Sequence, residues 1–273
     1  MADVSVESTR ALGLLMATAG WGQFLSAFVL VLVRVSGMVA FAPFFSSTAL
    51  PMRTKAVFTL AVSYLIAPVA AIQPAAIATL SFSALLSELA VGLVYGLLLS
   101  LLNEMLLFAG QIAGLQFSFS LVNLMDPASS IQTPLLGELF QLMGTLVLVT
   151  AGLDRILLAS LIRSFRAVPP GSFGMTELTG LSIVHAAGGI FFSAVQLSAP
   201  VLAATLLVEV AVSLLGKLSP QLPVMSLTIP IKTLTGFALL TGSLALWPRF
   251  IEARFDGLLD MAQNLLSSQS AGR

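Results

Sequence analysis

At 273 residues, 58% apolar and only 9% charged, the chain lies far from a soluble domain, in which roughly a quarter of residues are charged. Twelve basic residues balance twelve acidic ones, so nothing recommends nucleic acid as a ligand or a polybasic segment for a membrane surface, and the lack of cysteine excludes disulfides and cysteine-ligated metals. With a mean hydropathy of +1.03, what remains is an all-α integral membrane protein, since helices satisfy their own backbone in lipid.

Met1–Arg10 places Asp3 and Glu7 before any basic residue, the wrong charge order for a secretory signal, so this segment is expected to be retained. Three stretches free of Asp, Glu, Lys and Arg follow, Ala11–Val33, Ala56–Ser87 and Leu178–Val208, each long enough for the ~20 residues of a spanning helix. Leu12–Phe45 is apolar except for Arg34, which stands ~13 Å along a helix from Leu25 at ~1.5 Å per residue. An ionised group at that depth must face protein or water, or snorkel toward Ser36 and a helix end. Phe41–Pro51 forms a first hairpin turn. Arg53 and Lys55 put it on the cytoplasmic side by the positive-inside rule, although other basic residues are scattered over other ends. A second helix runs to Ala67-Pro68, and Gln73-Pro74 marks a short turn.

Ser81–Gly114 reads as one long helix. Gly92, Gly96, Asn103, Gly110 and Gly114 fall on a single stripe that lets another helix approach backbone to backbone. Leu98, off the stripe, is expected to face lipid or solvent. Glu88 extends the stripe at its start, whereas Glu104 stands one residue away from it, on a face shared with Gln111. The next stretch, Gln111–Gly137, turns polar without becoming charged. It is either an ordinary loop outside the membrane or a segment lining a protein-enclosed cavity.

Pro134–Leu153 is apolar around Glu138 and Gln141, and a shorter segment then ends at Arg163, Arg166 and Pro169-Pro170-Gly171, a solvated turn. Leu181–Leu215 carries Pro200, Glu209 and the only histidine, His185. Without a second imidazole or carboxylate at ligand spacing, His185 fits a hydrogen-bonded helix residue better than a metal ligand. Lys217–Pro230 reads as a second hairpin turn. Pro230-Ile231-Lys232-Thr233 briefly echoes Pro51-Met52-Arg53-Thr54, and chance suffices to explain so short a match. The last helix is amphipathic, with Arg249, Glu252, Asp256 and Asp260 on one side and Phe250, Phe255, Leu258 and Leu259 on the other.

No nucleophile–base set, HExxH or phosphate-binding loop is present, so no enzyme, metal or cofactor is expected. Arg34, Glu88, Glu104, Glu209 and Lys232 are candidate buried charges at interfaces. Glu209 and Lys232 lie on opposite arms of the C-terminal hairpin and are expected to pair with each other or with a neighbouring subunit. These intramembrane charges favour a channel or translocation component, then a small-molecule secondary transporter, over a purely structural subunit.

The residues LVRVSG (Leu32–Gly37), APFF, ALPMRTK, GQIAGLQFSFS with DPASS, PPGSF, and APVLAATLLVEVAVSLLGKLSPQLPV resemble, in order and over nearly the whole chain, the FliR family of flagellar export-gate proteins and its injectisome counterpart. GLDR (Gly152–Arg155) departs from the family, whose flagellar members often carry Asp-Gly-His there. The resemblance implies a FliP-like part over residues 1–175 and a FliQ-like helix–turn–helix over 176–273. It further implies assembly with FliP-type and FliQ-type subunits and an FlhB-type protein in the bacterial inner membrane, within the flagellar basal body. The assembly would be a portal for unfolded protein substrates. In that family the stretch matching GLQFSFS plugs the closed pore, which makes Gln116, Phe117, Ser118, Phe119 and Ser120 the candidate gate.

Overall fold

The computed structural model of the chain describes residues 21–42, 51–71, 80–117, 135–174, 177–219, 221 and 224–270. Its elements are α1 (Trp21–Phe41), α2 (Met52–Ala71), α3 (Phe82–Gln116), α4 (Leu135–Thr150), α5 (Leu153–Ala167), α6 (Glu177–Leu218), α7 (Val224–Ser243), a 3₁₀ turn (Leu244–Leu246) and α8 (Trp247–Ser270). Among the described residues five helices are long and apolar enough to cross a membrane, and α4 with α5, bent by 70°, would make a sixth span. The protein is an all-α membrane protein. α3 and α6, at 35 and 42 residues, reach about 50–60 Å, well beyond a ~30 Å hydrocarbon layer.

Prolines interrupt these helices without ending them. Pro68, Pro200 and Pro230 sit inside α2, α6 and α7. Each removes one backbone donor, a loss that adjacent helices and local adjustment make tolerable in membrane helices. The second hairpin turn is therefore shorter than Lys217–Pro230: α6 continues to Leu218 and α7 has begun by Val224. The echo of the first turn also fails structurally, because Pro51 precedes α2 whereas Pro230 lies within α7, and Arg53 is exposed whereas Lys232 is buried. Gly152 at the α4–α5 bend and Gly171 after α5 have φ of 71° and 79°, a conformation open to glycine at little steric cost.

Contacts group the chain into two units, Met1–Ser100 with Asp154–His185 and Asp256–Arg273, and Leu101–Leu153 with Ala186–Phe255. In the first unit α1 runs parallel to the start of α3, in step from Arg34 beside Glu88, through Gly37 beside Gly92, to Phe41 beside Gly96. The core here includes Leu30, Val31, Val35, Met38, Leu98, Leu161 and Phe165, all at 0% exposure. Gln263 Nε2 donates to Ser160 Oγ at 2.9 Å, which brings the end of α8 onto α5. In the second unit α4 runs antiparallel to the end of α3, with Gln141 Nε2 donating to Asn103 O at 3.5 Å. Of the apolar set expected on α8, Phe255 and Leu259 are buried while Phe250 and Leu258 are only half-buried.

The small-residue stripe of α3 meets two different helices. Gly92 and Gly96 lie against α1, where a Cβ on Gly96 would stand 3.0 Å from Gly37 O, and Gly110 lies against α4, where a Cβ would stand 2.6 Å from Gly137 Cα. Gly114 is looser, with Leu136 side-chain atoms 3.8 Å away. Leu98 does not face lipid or solvent. It is fully buried, because α3 is covered on more than the glycine face. Gly110→Ala should therefore destabilise the chain by about 1–3 kcal/mol through overpacking against backbone that cannot yield. Leu142→Ala, at a site 63% exposed, should stay within about 0.5 kcal/mol. Thermal unfolding in detergent checks this, and equal midpoints for the two variants would contradict it.

Candidate functional site

Arg34 is the most completely satisfied side chain of the first unit. Its Nε and Nη2 donate to Glu88 Oε2 and Oε1 at 2.6 and 2.9 Å, Nη1 donates to Ser164 Oγ at 3.1 Å, and Nη2 also reaches Val168 O at 3.2 Å. The guanidinium carbon stands 4.0 Å from the centroid of Phe165. Glu88 Oε1 also accepts from Gly171 N at 2.9 Å, and Ser87 Oγ accepts from Phe173 N at 2.8 Å, so the PPGSF turn is held by side chains of α3. Arg34 and Glu88 are both fully buried. Bidentate geometry with further hydrogen bonds is the condition under which a buried ion pair offsets its desolvation. Snorkelling does not occur. Arg34 is paired in place, and Ser36 donates instead to Val33 O at 2.8 Å.

The other candidate charges behave differently. Glu104 is exposed on this chain, so no burial within the chain accounts for it: one residue off the stripe means about 100° around the helix, away from α4. Glu209 Oε1 accepts from Lys232 Nζ across the α6–α7 hairpin. The Lys232 side chain is 9% exposed and that of Glu209 44%, so this pair opens to its surroundings on the carboxylate side. His185 lines an open groove of about 630 Å³ with Asp260 and Asn264. No group of three or more His, Cys, Asp or Glu able to hold a metal occurs among the described residues.

Of the candidate gate, Gln116 and Phe117 are described, while Ser118, Phe119 and Ser120 lie outside the described residues. Gln116 ends α3, and its Oε1 accepts from Thr205 Oγ1 of α6 at 3.2 Å. Phe117 is 2% exposed. Its carbonyl accepts from Thr233 Oγ1 of α7 at 3.3 Å, and its ring lies 4.9 Å from that of Phe237. Gly236 lies directly under the ring, where any Cβ would collide with it. The hairpin register brings Glu209 to Lys232, and one turn away Thr205 and Gly236 meet the end of α3.

Sequence reasoning pointed to the charges and to Gln116–Phe117 but missed their partners. Ser164, Phe165 and Val168 around Arg34, Gly171 beside Glu88, and Thr205, Thr233 and Phe237 around Gln116 and Phe117 are ordinary residue types whose positions carry no sign of these contacts. Only one signal was available for the Arg34 pair: Glu88 shares the stripe with Gly92, and Arg34 lies one turn before Gly37.

The family model described as bacterial export proteins, family 1, matches residues 25–258. Similar relatives include proteins named flagellar biosynthetic protein FliR from Escherichia coli (strain K12), Bacillus subtilis (strain 168) and Aquifex aeolicus (strain VF5). The first is 24% identical over 90% of this chain and 95% of its own. The second is 26% identical over 88% and 95%, and the third 25% identical over 82% and 87%.

Proposed function

Because this chain belongs to the bacterial export proteins, family 1, we propose that it is a flagellar biosynthesis protein, a subunit of the type III export gate that forms the portal for unfolded export substrates. The observation that carries this reading is the match to the family over nearly the whole chain, joined by relatives bearing the flagellar FliR name. That name also favours the flagellar system over an injectisome. The chain acts as a passage rather than an enzyme. Its setting is the bacterial inner membrane at the flagellar basal body, beside FliP-type, FliQ-type and FlhB-type proteins.

The division into a FliP-like part, 1–175, and a FliQ-like part, 176–273, belongs to this proposal, as does a gate built from Gln116–Ser120. Physical support comes from uncovered apolar surface. The most apolar windows of α6 and of the α7–α8 span are only 17% buried, against 56% for α3. Leu207, Phe192 and Leu234 stand 72%, 70% and 71% exposed. Faces of this kind fit lipid or neighbouring helical subunits, and a half-exposed Glu209 fits the latter better. Phe117 supports a gate because a large apolar ring can close a pore by excluding water.

Co-expression with FliP-type and FliQ-type subunits followed by purification and particle imaging tests the assignment. A ring-like complex containing this chain is the expected result. A stable, functional monomer would contradict it and favour the alternative, a small-molecule secondary transporter.

A further inference from the structure

We infer that the C-terminal hairpin, α6 with α7, is the holder of the gate, an inference that rests on reading Phe117 as a gate residue. Thr205, Thr233, Gly236 and Phe237 are positioning residues that seat Gln116 and Phe117, and the Glu209–Lys232 pair keeps the two arms closed on them.

Three kinds of contact converge on two consecutive residues. α6 supplies a hydroxyl to the Gln116 side chain, α7 supplies a hydroxyl to the Phe117 carbonyl, and α7 also supplies the floor and wall of the ring's seat in Gly236 and Phe237. Gly236 leaves space that the Phe117 ring fills, so the seat is matched to that ring. An exposed helix position would accept alanine more readily than glycine, and the contact with Phe117 accounts for the choice. The same surface of each arm that carries the seat also carries the ion pair, Thr205 and Glu209 being four residues apart on α6, and Lys232 and Gly236 four apart on α7. Residues so spaced share a helix face.

The grip is releasable. Two hydroxyl hydrogen bonds longer than 3.1 Å are modest, and each hydroxyl also has a carbonyl of its own helix within reach: Val201 O at 2.9 Å from Thr205 and Ile229 O at 2.9 Å from Thr233. Each can let go of the gate without being left unsatisfied. The ion pair is open on the Glu209 side, where a second basic group can reach the carboxylate. Parting the arms, by a passing substrate or by a basic group competing for Glu209, frees Phe117 from its seat.

The absence of cysteine from the chain permits a background-free test. In the assembled complex with cysteine-free partners, Glu209→Cys with Lys232→Cys is bridged by a short bis(methanethiosulfonate), each cysteine thiolate displacing one methanesulfinate to form a reducible disulfide, and ion leak and substrate export are compared before and after reduction of the same preparation. Bridging should lower both at least tenfold, and reduction should restore them. Export from a fully bridged complex as fast as after its reduction, or arms that cannot be bridged in an assembled complex, would overturn the inference. Should the double variant fail to assemble, Gly236→Ala, which places a methyl group in the seat of Phe117, should raise ion leak several-fold in recovered complex; an assembled, tight Gly236→Ala complex would equally overturn it. Failure of the gate reading itself is separate: tight membranes from a complex with Phe117→Ser and Phe119→Ser would remove the gate, whereas leaky ones combined with unimpeded export through bridged arms would remove only the hairpin's part.

Discussion

Arg34→Met should cost this protein about 3–5 kcal/mol, enough to consume a large part of the 5–15 kcal/mol by which folded domains are typically stable. The reason lies in what remains. Glu88 would be left fully buried with its Arg34 hydrogen bonds gone and, among the described residues, only the Gly171 amide still donating to it. Glu88→Leu should be comparably damaging, since it strands the guanidinium and removes the acceptor that holds the PPGSF turn. The double variant Arg34→Met with Glu88→Leu should recover part of the loss, because apolar groups of similar volume replace a buried pair far better than half a pair does. Recovery of monodisperse protein from membranes and its unfolding midpoint provide the readout. Wild-type stability in either single variant, or a double variant worse than the sum of the singles, would show that the pair is not the anchor of α1 on α3.

What the sequence revealed of this arrangement follows from which interactions are local. Composition alone identifies an apolar helical membrane protein, and the small residues of α3 recur at helical spacing, so a close-approach face was readable before any neighbour was known. Glu209 and Lys232 were readable as partners because a short turn joins their helices, which leaves few ways for them to meet. Arg34 and Glu88 are different. They lie on parallel helices with α2 between them in sequence, and no local periodicity specifies which of several carboxylates an arginine will meet. The same limit explains Leu98 and Glu104. A single-stripe view of α3 assumes one covered face, but α1, α4 and α5 each take a share of that helix, so Leu98 is buried off the stripe while Glu104, close beside it, is exposed.

The candidate site shows the same division. The change from apolar to polar character after Gln111 singled out the stretch, and the phenylalanines flanked by serines suggested a constriction. That Phe117 would be seated on α7, over a glycine, could not be read, since Gly236 is one of 21 glycines and nothing in its own neighbourhood distinguishes it. Helix prolines misled in the opposite sense. Pro230 suggested a turn, yet α7 runs through it because one lost backbone bond is a smaller loss than ending a helix in an apolar setting.

The central claim is that Phe117 and its neighbours close a passage, and an ion-leak measurement tests it most directly. Membranes containing the assembled complex with Phe117→Ser and Phe119→Ser, or lacking Gln116–Ser120, should conduct ions or small solutes at least tenfold faster than wild type, with the amount of assembled complex unchanged. Polar side chains in place of a hydrophobic narrowing remove the dewetting that holds it shut. Membranes as tight as wild type at normal complex yield, or a loss of complex without any leak from what remains, would contradict the gate and leave this stretch a packed loop.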